Sequence, residues 1–132
     1  MAGRQINDDF TLDVASGQTV SNYRLCKLSG NDALHCSATA TDVPIGVSQP
    51  GTPGITTQVT LRDIKRPGLT KITAAGVIAE GAAAYAAAAG KVQALPGVGG
   101  TYLKIGVAID AAAADGDIIG VWVDPSRTTT NV

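Results

Sequence analysis

The feature that most constrains this chain is a pattern of small and apolar residues that occurs twice, 60 residues apart. In both copies apolar residues alternate with polar or small ones, which is typical of β-strands because successive side chains point to opposite faces. The matched positions are Pro44–Val47 with Lys104–Val107, Val59 and Leu61 with Ile119 and Val121, and Leu25 with Tyr85. Two copies of such a unit predict a mainly β protein, either a small β-barrel or a sandwich built from two similar β units.

Polar segments at both ends divide the chain into three parts. The first ten residues contain few large apolar side chains, and Ile6 and Phe10 are the two that could anchor an extended arm. The predicted parts are an extended N-terminal arm over 1–10, a single β domain over 11–125 with its two units at about 11–62 and 69–123, and a polar C-terminal tail over 126–132.

Two segments give conflicting or broken signals. Residues 82–89 are almost all alanine, the best helix former, but an eight-residue helix gains little because nucleation is costly. The repeat places them over a predicted strand and turn at 22–29, so we favour a strand and keep helix as the alternative. Residues 49–54 contain two prolines and two glycines and are predicted to form a loop.

The composition favours a protein that works in an assembly. Charged residues make up 16% of the chain and aromatic residues only 4%, against about 25% charged residues in typical domains. A chain with few large side chains buries little area, so the isolated monomer is expected to be marginally stable. A net charge of −1 argues against nucleic-acid binding, and no apolar run suggests a membrane span or a signal peptide. The protein is expected to be made and kept in the cytoplasm, or to be kept in something assembled there.

No group of residues predicts catalysis, a cofactor or a metal site. The single histidine, His35, is adjacent to Cys36, and alternation along a strand points the two side chains to opposite faces. Cys26 and Cys36 flank a predicted hairpin, where free thiols are favoured in a reducing cytoplasm and a disulfide is the alternative. Asp115–Asp117 is a fragment of a calcium-binding pattern, and an Asp-Gly turn explains it without an ion. We therefore expect no enzyme and no cofactor.

Several short motifs resemble one known family. They are Gly90–Val92, Ile105–Ala108, Gly116–Ile119 and the alanine-rich linker. Together these residues resemble the predicted phage capsid cement family, whose members are small decoration proteins of tailed bacteriophage heads. The resemblance is strongest over 69–123 and weaker over 11–62. The segment Pro50–Gly54 and the tail after Pro125 have no counterpart in the pattern.

The resemblance implies a structural virion protein with a β-rich fold on the capsid exterior, assembled in the host cytoplasm. It implies binding to the phage major capsid protein, with a homotrimer at local three-fold positions that bridges capsid subunits and stabilises the expanded head. Nucleic acid and membranes are not expected partners. The alternative is a small β-barrel module that binds glycans or surfaces, although its aromatic residues (Tyr23, Tyr85, Tyr102 and Trp122) are few and scattered.

Two stretches are predicted to contact the capsid. The arm could add a strand to an exposed sheet edge of a neighbour, with Phe10 as an anchor. A local basic cluster could contact an acidic partner surface, and its alternative reading is a solvated loop. The predicted contact residues are Arg4, Ile6, Asn7 and Phe10 in the arm, and Arg62, Lys65 and Arg66 in the basic cluster.

Overall fold

The structure is a computed structural model that describes residues 9–38, 40–54, 57–124 and 128–132, with backbone only for 51–54. Residues 1–8 of the predicted arm, and therefore Arg4, Ile6 and Asn7, lie outside the described residues. The strands are β1 (Phe10–Asp13), β2 (Leu25–Ser29), β3 (Asp32–His35), β4 (Gly46–Gly54), β5 (Gln58–Asp63), β6 (Gly68–Thr73), β7 (Ala83–Ala86), β8 (Val92–Gln93), β9 (Thr101–Ala108), β10 (Ile118–Val123) and β11 (Thr129–Asn131). A short 3-10 turn, Ala88–Gly90, follows β7.

The strands form two antiparallel sheets, so the predicted mainly β fold is confirmed. The first sheet has the order β1-β5-β4-β2-β3, and the second has the order β6-β10-β9-β7-β8, with β11 paired to β9. Only isolated bridges, Val14 with Ala33 and Ala74 with Val92, connect the edges of each sheet in the described part of the chain. The architecture is therefore sandwich-like, and the closed barrel, which requires a continuous ladder between edge strands, is not formed.

The two sheets share the same strand order and much of the same register. Each strand of the second sheet takes the place of the strand five positions earlier in the first. Thr11 pairs with Thr60 as Lys71 pairs with Gly120, and Gly46 pairs with Asp63 as Gly106 pairs with Val123. The 60-residue spacing in the sequence thus corresponds to the pairing of three strands in each sheet, β1, β5 and β4 in the first and β6, β10 and β9 in the second.

The register differs in the hairpins that follow. Leu25 pairs with Val47 in the first sheet, and Ala83 pairs with Val107 in the second, an offset of 58 residues for the hairpin strand. The sequence match of Leu25 with Tyr85 is therefore wrong by two residues. The offset is the same at Ala84, which pairs with Gly106 as Cys26 pairs with Gly46, and the register then shifts between Ala84 and Tyr85. No local pattern in the sequence marks either change.

The glycine repeated in each unit lies where two strands come unusually close. A Cβ atom on Gly46 would lie 2.6 Å from the carbonyl oxygen of Arg62. A Cβ atom on Gly106 would overlap the carbonyl oxygen of Trp122, which is the corresponding position in the second sheet. Glycine is thus required twice because a neighbouring backbone occupies the space of a side chain.

The larger core cluster joins the two sheets. It combines buried residues of the first sheet, such as Leu25 and Val47, with residues of the second, such as Ile72, Ile105 and Val121. A smaller cluster covers the other face of the first sheet and contains Val14, Val20, Cys26, Ala33, Val59 and Leu61. Because one cluster spans both sheets, the two units are packed as parts of one structure.

Three segments test the local predictions. The alanine-rich segment forms strand β7, which pairs with both β8 and β9, so the favoured strand is confirmed. Residues 49–54 were predicted to form a loop and instead belong to β4, although the pairing shifts between Gln49 and Gly54, where the prolines fall. Thr129–Asn131, in the predicted polar tail, forms β11. No helix in the described residues is long and apolar enough to span a membrane.

Candidate functional site

An open apolar groove lies beside the edge strand of the first sheet. It has a volume of about 410 Å3. Its lining residues are Phe10, Leu12, Leu28, Ile45, Asp63, Ile64 and Lys65. The groove therefore brings together one predicted contact residue of the arm, Phe10, and one of the basic cluster, Lys65.

Strand β1 supplies the apolar wall of this groove. Phe10 and Leu12 are half-buried, whereas Thr11 and Asp13 between them are exposed, as expected for alternation along a strand. In the ladders of the described residues β1 pairs only with β5, so it stands at the edge of the sheet. An edge strand with apolar side chains facing a groove is a surface suited to a further chain segment.

The groove continues into a second depression beside Leu28. Leu28 and Val43 are 51% and 50% exposed, although both are large apolar residues. The far side is held by an ion pair of 2.9 Å between Lys27 Nζ and Asp42 Oδ2, which also accepts a 2.8 Å hydrogen bond from the Ser37 amide. The hydrogen bonds from Lys27 and Ser37 lower the pKa of Asp42 to about 2. Lys27 and Asp42 are therefore paired with each other, and the apolar side chains of Leu28 and Val43 form the open surface of this depression.

The basic cluster is divided between two surfaces: Arg62 and Arg66 line a separate depression with Leu69 and Lys71, and Lys65 lines the apolar groove. Arg62 is only 4% exposed, and its guanidinium donates hydrogen bonds of 3.3 Å to the carbonyl oxygens of Asp63 and Pro67. Burial lowers the pKa of Arg62 from its ordinary value. Arg66 Nη1 lies 3.6 Å from Asp9 Oδ1. Of the three basic residues, only Lys65 lines the groove. The predicted contact through Arg62 therefore has almost no accessible side chain to support it.

The histidine and the cysteines serve packing and hydrogen bonding. His35 Nε2 accepts a 3.0 Å hydrogen bond from the Ser21 amide, and burial lowers its pKa. Cys26 and Cys36 are free thiols, and burial raises the pKa of each to about 12, so they are protonated at neutral pH. A protonated thiol is a poor nucleophile and a poor metal ligand. Across the described ranges no three His, Cys, Asp or Glu residues are grouped to hold a metal ion.

In the acidic turn before β10, the carboxylates of Asp115 and Asp117 are held by contacts within the protein. Asp117 Oδ2 accepts hydrogen bonds of 2.8 and 3.1 Å from the amides of Ala113 and Ala114. Asp115 forms a 2.6 Å ion pair with Lys91. These contacts account for the Asp-Gly-Asp pattern as a turn, in agreement with the explanation favoured from the sequence.

Sequence reasoning missed an apolar surface on the outer face of the second sheet. Trp122 and Leu69 are direct cross-strand partners, and both are 55% exposed. Ile118, on the same face of β10, is 52% exposed. Alternation along β10 points Trp122 to the face opposite that of the buried Val121 and Val123. The sequence therefore indicates which face Trp122 is on, but only the packed structure shows that this face is left uncovered.

Comparison with known proteins identifies a similar solved structure and a matching family. No curated protein matches the sequence. The structure is similar to that of the head fiber gp8.5 N base in bacteriophage phi29, with a TM-score of 0.65, 19% identity, and coverage of 92% of this chain and 97% of that chain. At this identity the likeness is one of fold. The family model described as phage cement protein matches residues 5–123, which include both sheets. The chain belongs to the phage cement protein family.

Proposed function

We propose that this protein binds the outer surface of the phage capsid lattice and stabilises the expanded head by bridging neighbouring major capsid subunits. Membership of the phage cement family makes it a capsid-associated structural protein of the virion. The proposal adds the site of attachment, the bridging role and a homotrimer at local three-fold positions, and it assigns the protein no catalytic role. Its main support is the apolar groove at β1, which lies where the predicted arm joins the domain.

Mass action explains how such a protein stabilises a shell. A ligand that binds one state of a lattice and not another lowers the free energy of the bound state. If this protein binds only the expanded lattice, every occupied position opposes the return to, or rupture of, that lattice. A modest affinity at each position is then sufficient, because many copies act on the same shell.

The groove offers an attachment mode that uses the edge of the first sheet. An extended segment placed beside β1 could form main-chain hydrogen bonds while its apolar side chains enter the groove. Phe10 and Leu12 provide the apolar wall, and Lys65 provides one exposed charge. Contacts from Arg4, Ile6 and Asn7 stay predictions for the arm, which precedes this strand.

The test is sedimentation of purified protein with expanded heads and with precursor heads. We expect binding to expanded heads only. Phe10→Ser, which removes the largest side chain of the groove, is expected to weaken binding about tenfold, because burial of a Phe side chain contributes about 1.5–3 kcal/mol. Val98→Ser is the matched control, since Val98 is 71% exposed and does not line the groove.

Two results would contradict the proposal at different levels. Failure of the unaltered protein to bind expanded heads would remove the attachment role altogether. Unchanged binding by a folded Phe10→Ser protein would keep the attachment role and exclude the groove as its site. Circular dichroism of each variant establishes that the comparison is between folded proteins.

A further inference from the structure

The outer face of the second sheet carries an apolar row that crosses four strands. Ala83 in β7 pairs with Val107 in β9, Val107 pairs with Trp122 in β10, and Trp122 pairs with Leu69 in β6. Direct cross-strand partners share one face of a sheet, so these four side chains lie side by side. Trp122 and Leu69 are each 55% exposed, and Ala83 and Val107 are half-buried. We call these four residues the open row.

The first sheet contains the same row, but there it is covered. Leu25 pairs with Val47, and Val47 pairs with Arg62, which occupy the positions of Ala83, Val107 and Trp122. Leu25 and Val47 are fully buried and Arg62 is 4% exposed. The same row of the fold is therefore buried in the first unit and exposed in the second.

The second unit provides the cover for the first. The carbonyl oxygen of Pro67, which immediately precedes β6, accepts a hydrogen bond from Arg62 Nη2. Further along, the amide of Thr73 at the end of β6 donates a 2.8 Å hydrogen bond to the carbonyl oxygen of Tyr23. Strand β6 is thus held against the first sheet at both of its ends.

The 3-10 turn after β7 completes the cover. Arg24 Nη1 donates a 2.9 Å hydrogen bond to the carbonyl oxygen of Ala89. The amide of Gly90 donates a 2.8 Å hydrogen bond to the carbonyl oxygen of Cys36. The approach is so close that a Cβ atom on Gly90 would lie 2.5 Å from the carbonyl oxygen of Leu25. The chain thereby contains one complete head-to-tail contact between its two units.

We propose that a second copy of this chain covers the open row, repeating between molecules the contact that the two units make within one. The parts of the second copy that correspond to β6 and the 3-10 turn are strand β1 and the turn between β2 and β3, which contains Gly30 and Asn31, so these would face Trp122 and Leu69. Such a contact joins different surfaces on the two partners, and successive contacts of this kind close into a ring when the rotation permits. The inference deepens the proposed homotrimer by naming its interface, and it does not depend on capsid binding.

The charges on the two surfaces suit each other. Lys71, two residues from Leu69 on the same face of β6, is exposed beside the open row. Strand β1 carries the exposed carboxylate of Asp13, whereas Asp9, which precedes it, already pairs with Arg66 of the same chain. A basic residue next to the row and an acidic residue on the covering strand favour this partner and this orientation. A tryptophan at the centre of an apolar contact is also the residue type that most often dominates binding energy.

The first experiment measures mass in solution by sedimentation velocity for the full chain and three variants. The unaltered protein is expected to form a closed oligomer. Trp122→Ser and Leu69→Ser are each expected to shift it to monomer, with an apparent dissociation constant raised at least tenfold. Val77→Ser is the control, since Val77 is 72% exposed but lies outside the sheet. A monomer at every soluble concentration of unaltered protein, or an oligomer retained by both row variants, would overturn the proposal.

A mixing experiment tests whether the contact is head-to-tail. Asn31→Arg places a long charged side chain in the exposed turn that is predicted to cover the row. Trp122→Ser and Asn31→Arg proteins are each expected to be monomeric alone and to form a dimer when mixed, because the mixture restores one intact contact. No dimer in the mixture would exclude pairing of an intact row with an intact covering surface, and it would overturn the proposal. If row variants instead stay oligomeric and lose only head binding, the open row contacts the capsid and the copy–copy contact is wrong.

Discussion

Gly106→Ala is expected to lower the free energy of unfolding by about 3 kcal/mol, at the upper end of overpacking effects. The added methyl group would meet the carbonyl oxygen of Trp122 on the neighbouring strand, so the backbone itself would have to move. A flexible side chain could rotate away, but a paired strand cannot shift without loss of its ladder. For a chain of this size the expected loss corresponds to a fall of about 10 °C in the unfolding temperature.

The matched control for this substitution is Gly76→Ala. No heavy atom lies within 4 Å of a Cβ atom built on Gly76, and this residue has no positive φ angle. Its effect is expected to stay within about 0.5 kcal/mol, as for most surface substitutions. Urea unfolding followed by circular dichroism gives both values. Equal midpoints for the two variants would contradict the close approach of β9 and β10.

Leu25→Ala is expected to lower the free energy of unfolding by about 3–4 kcal/mol, because the side chain is fully buried and its removal leaves a cavity. Leu25 belongs to the core cluster that contains residues of both sheets. Leu28→Ala, in the same strand, is the control: Leu28 is 51% exposed, and the expected loss is about 1 kcal/mol or less.

The same experiment tests whether the two sheets unfold together. Since the cluster around Leu25 joins them, calorimetry is expected to show one transition that moves as a whole in the Leu25→Ala protein. Two separate transitions, with only one of them shifted, would show that each sheet is stable without the other. That outcome would also remove the internal contact on which the head-to-tail inference rests.

Local patterns predicted the strands well where alternation and required glycines coincide. The Ile-Gly-Val motif in each unit marks the strand in which a neighbouring backbone passes close to the glycine, so its spacing of 60 residues reports the register directly. The hairpin register could not be predicted in this way. The shift between Ala84 and Tyr85 depends on how β7 pairs with β9, and a segment that is alanine except for Tyr85 carries no alternation that would reveal it.

The candidate surfaces show the limit of reasoning from charge and phase. Arg62 belongs to a basic cluster in the sequence, but the segment just before β6 covers it, and that contact depends on how the two sheets are packed. Phe10 is an apolar residue at the end of the predicted arm, and it lines a groove. Alternation along β10 points Trp122 outward. The sequence does not show that the row containing Trp122 is open in the second unit while the equivalent row is covered in the first.

The proposed role of this protein is to strengthen a capsid by attachment. Its effect is measured by comparing heads that lack the protein with the same heads saturated by it, with the temperature of DNA release as the readout. We expect packaged DNA to be released at a higher temperature when the protein is bound, with a rise that saturates as its binding positions fill. Release at the same temperature with and without bound protein would exclude the strengthening role.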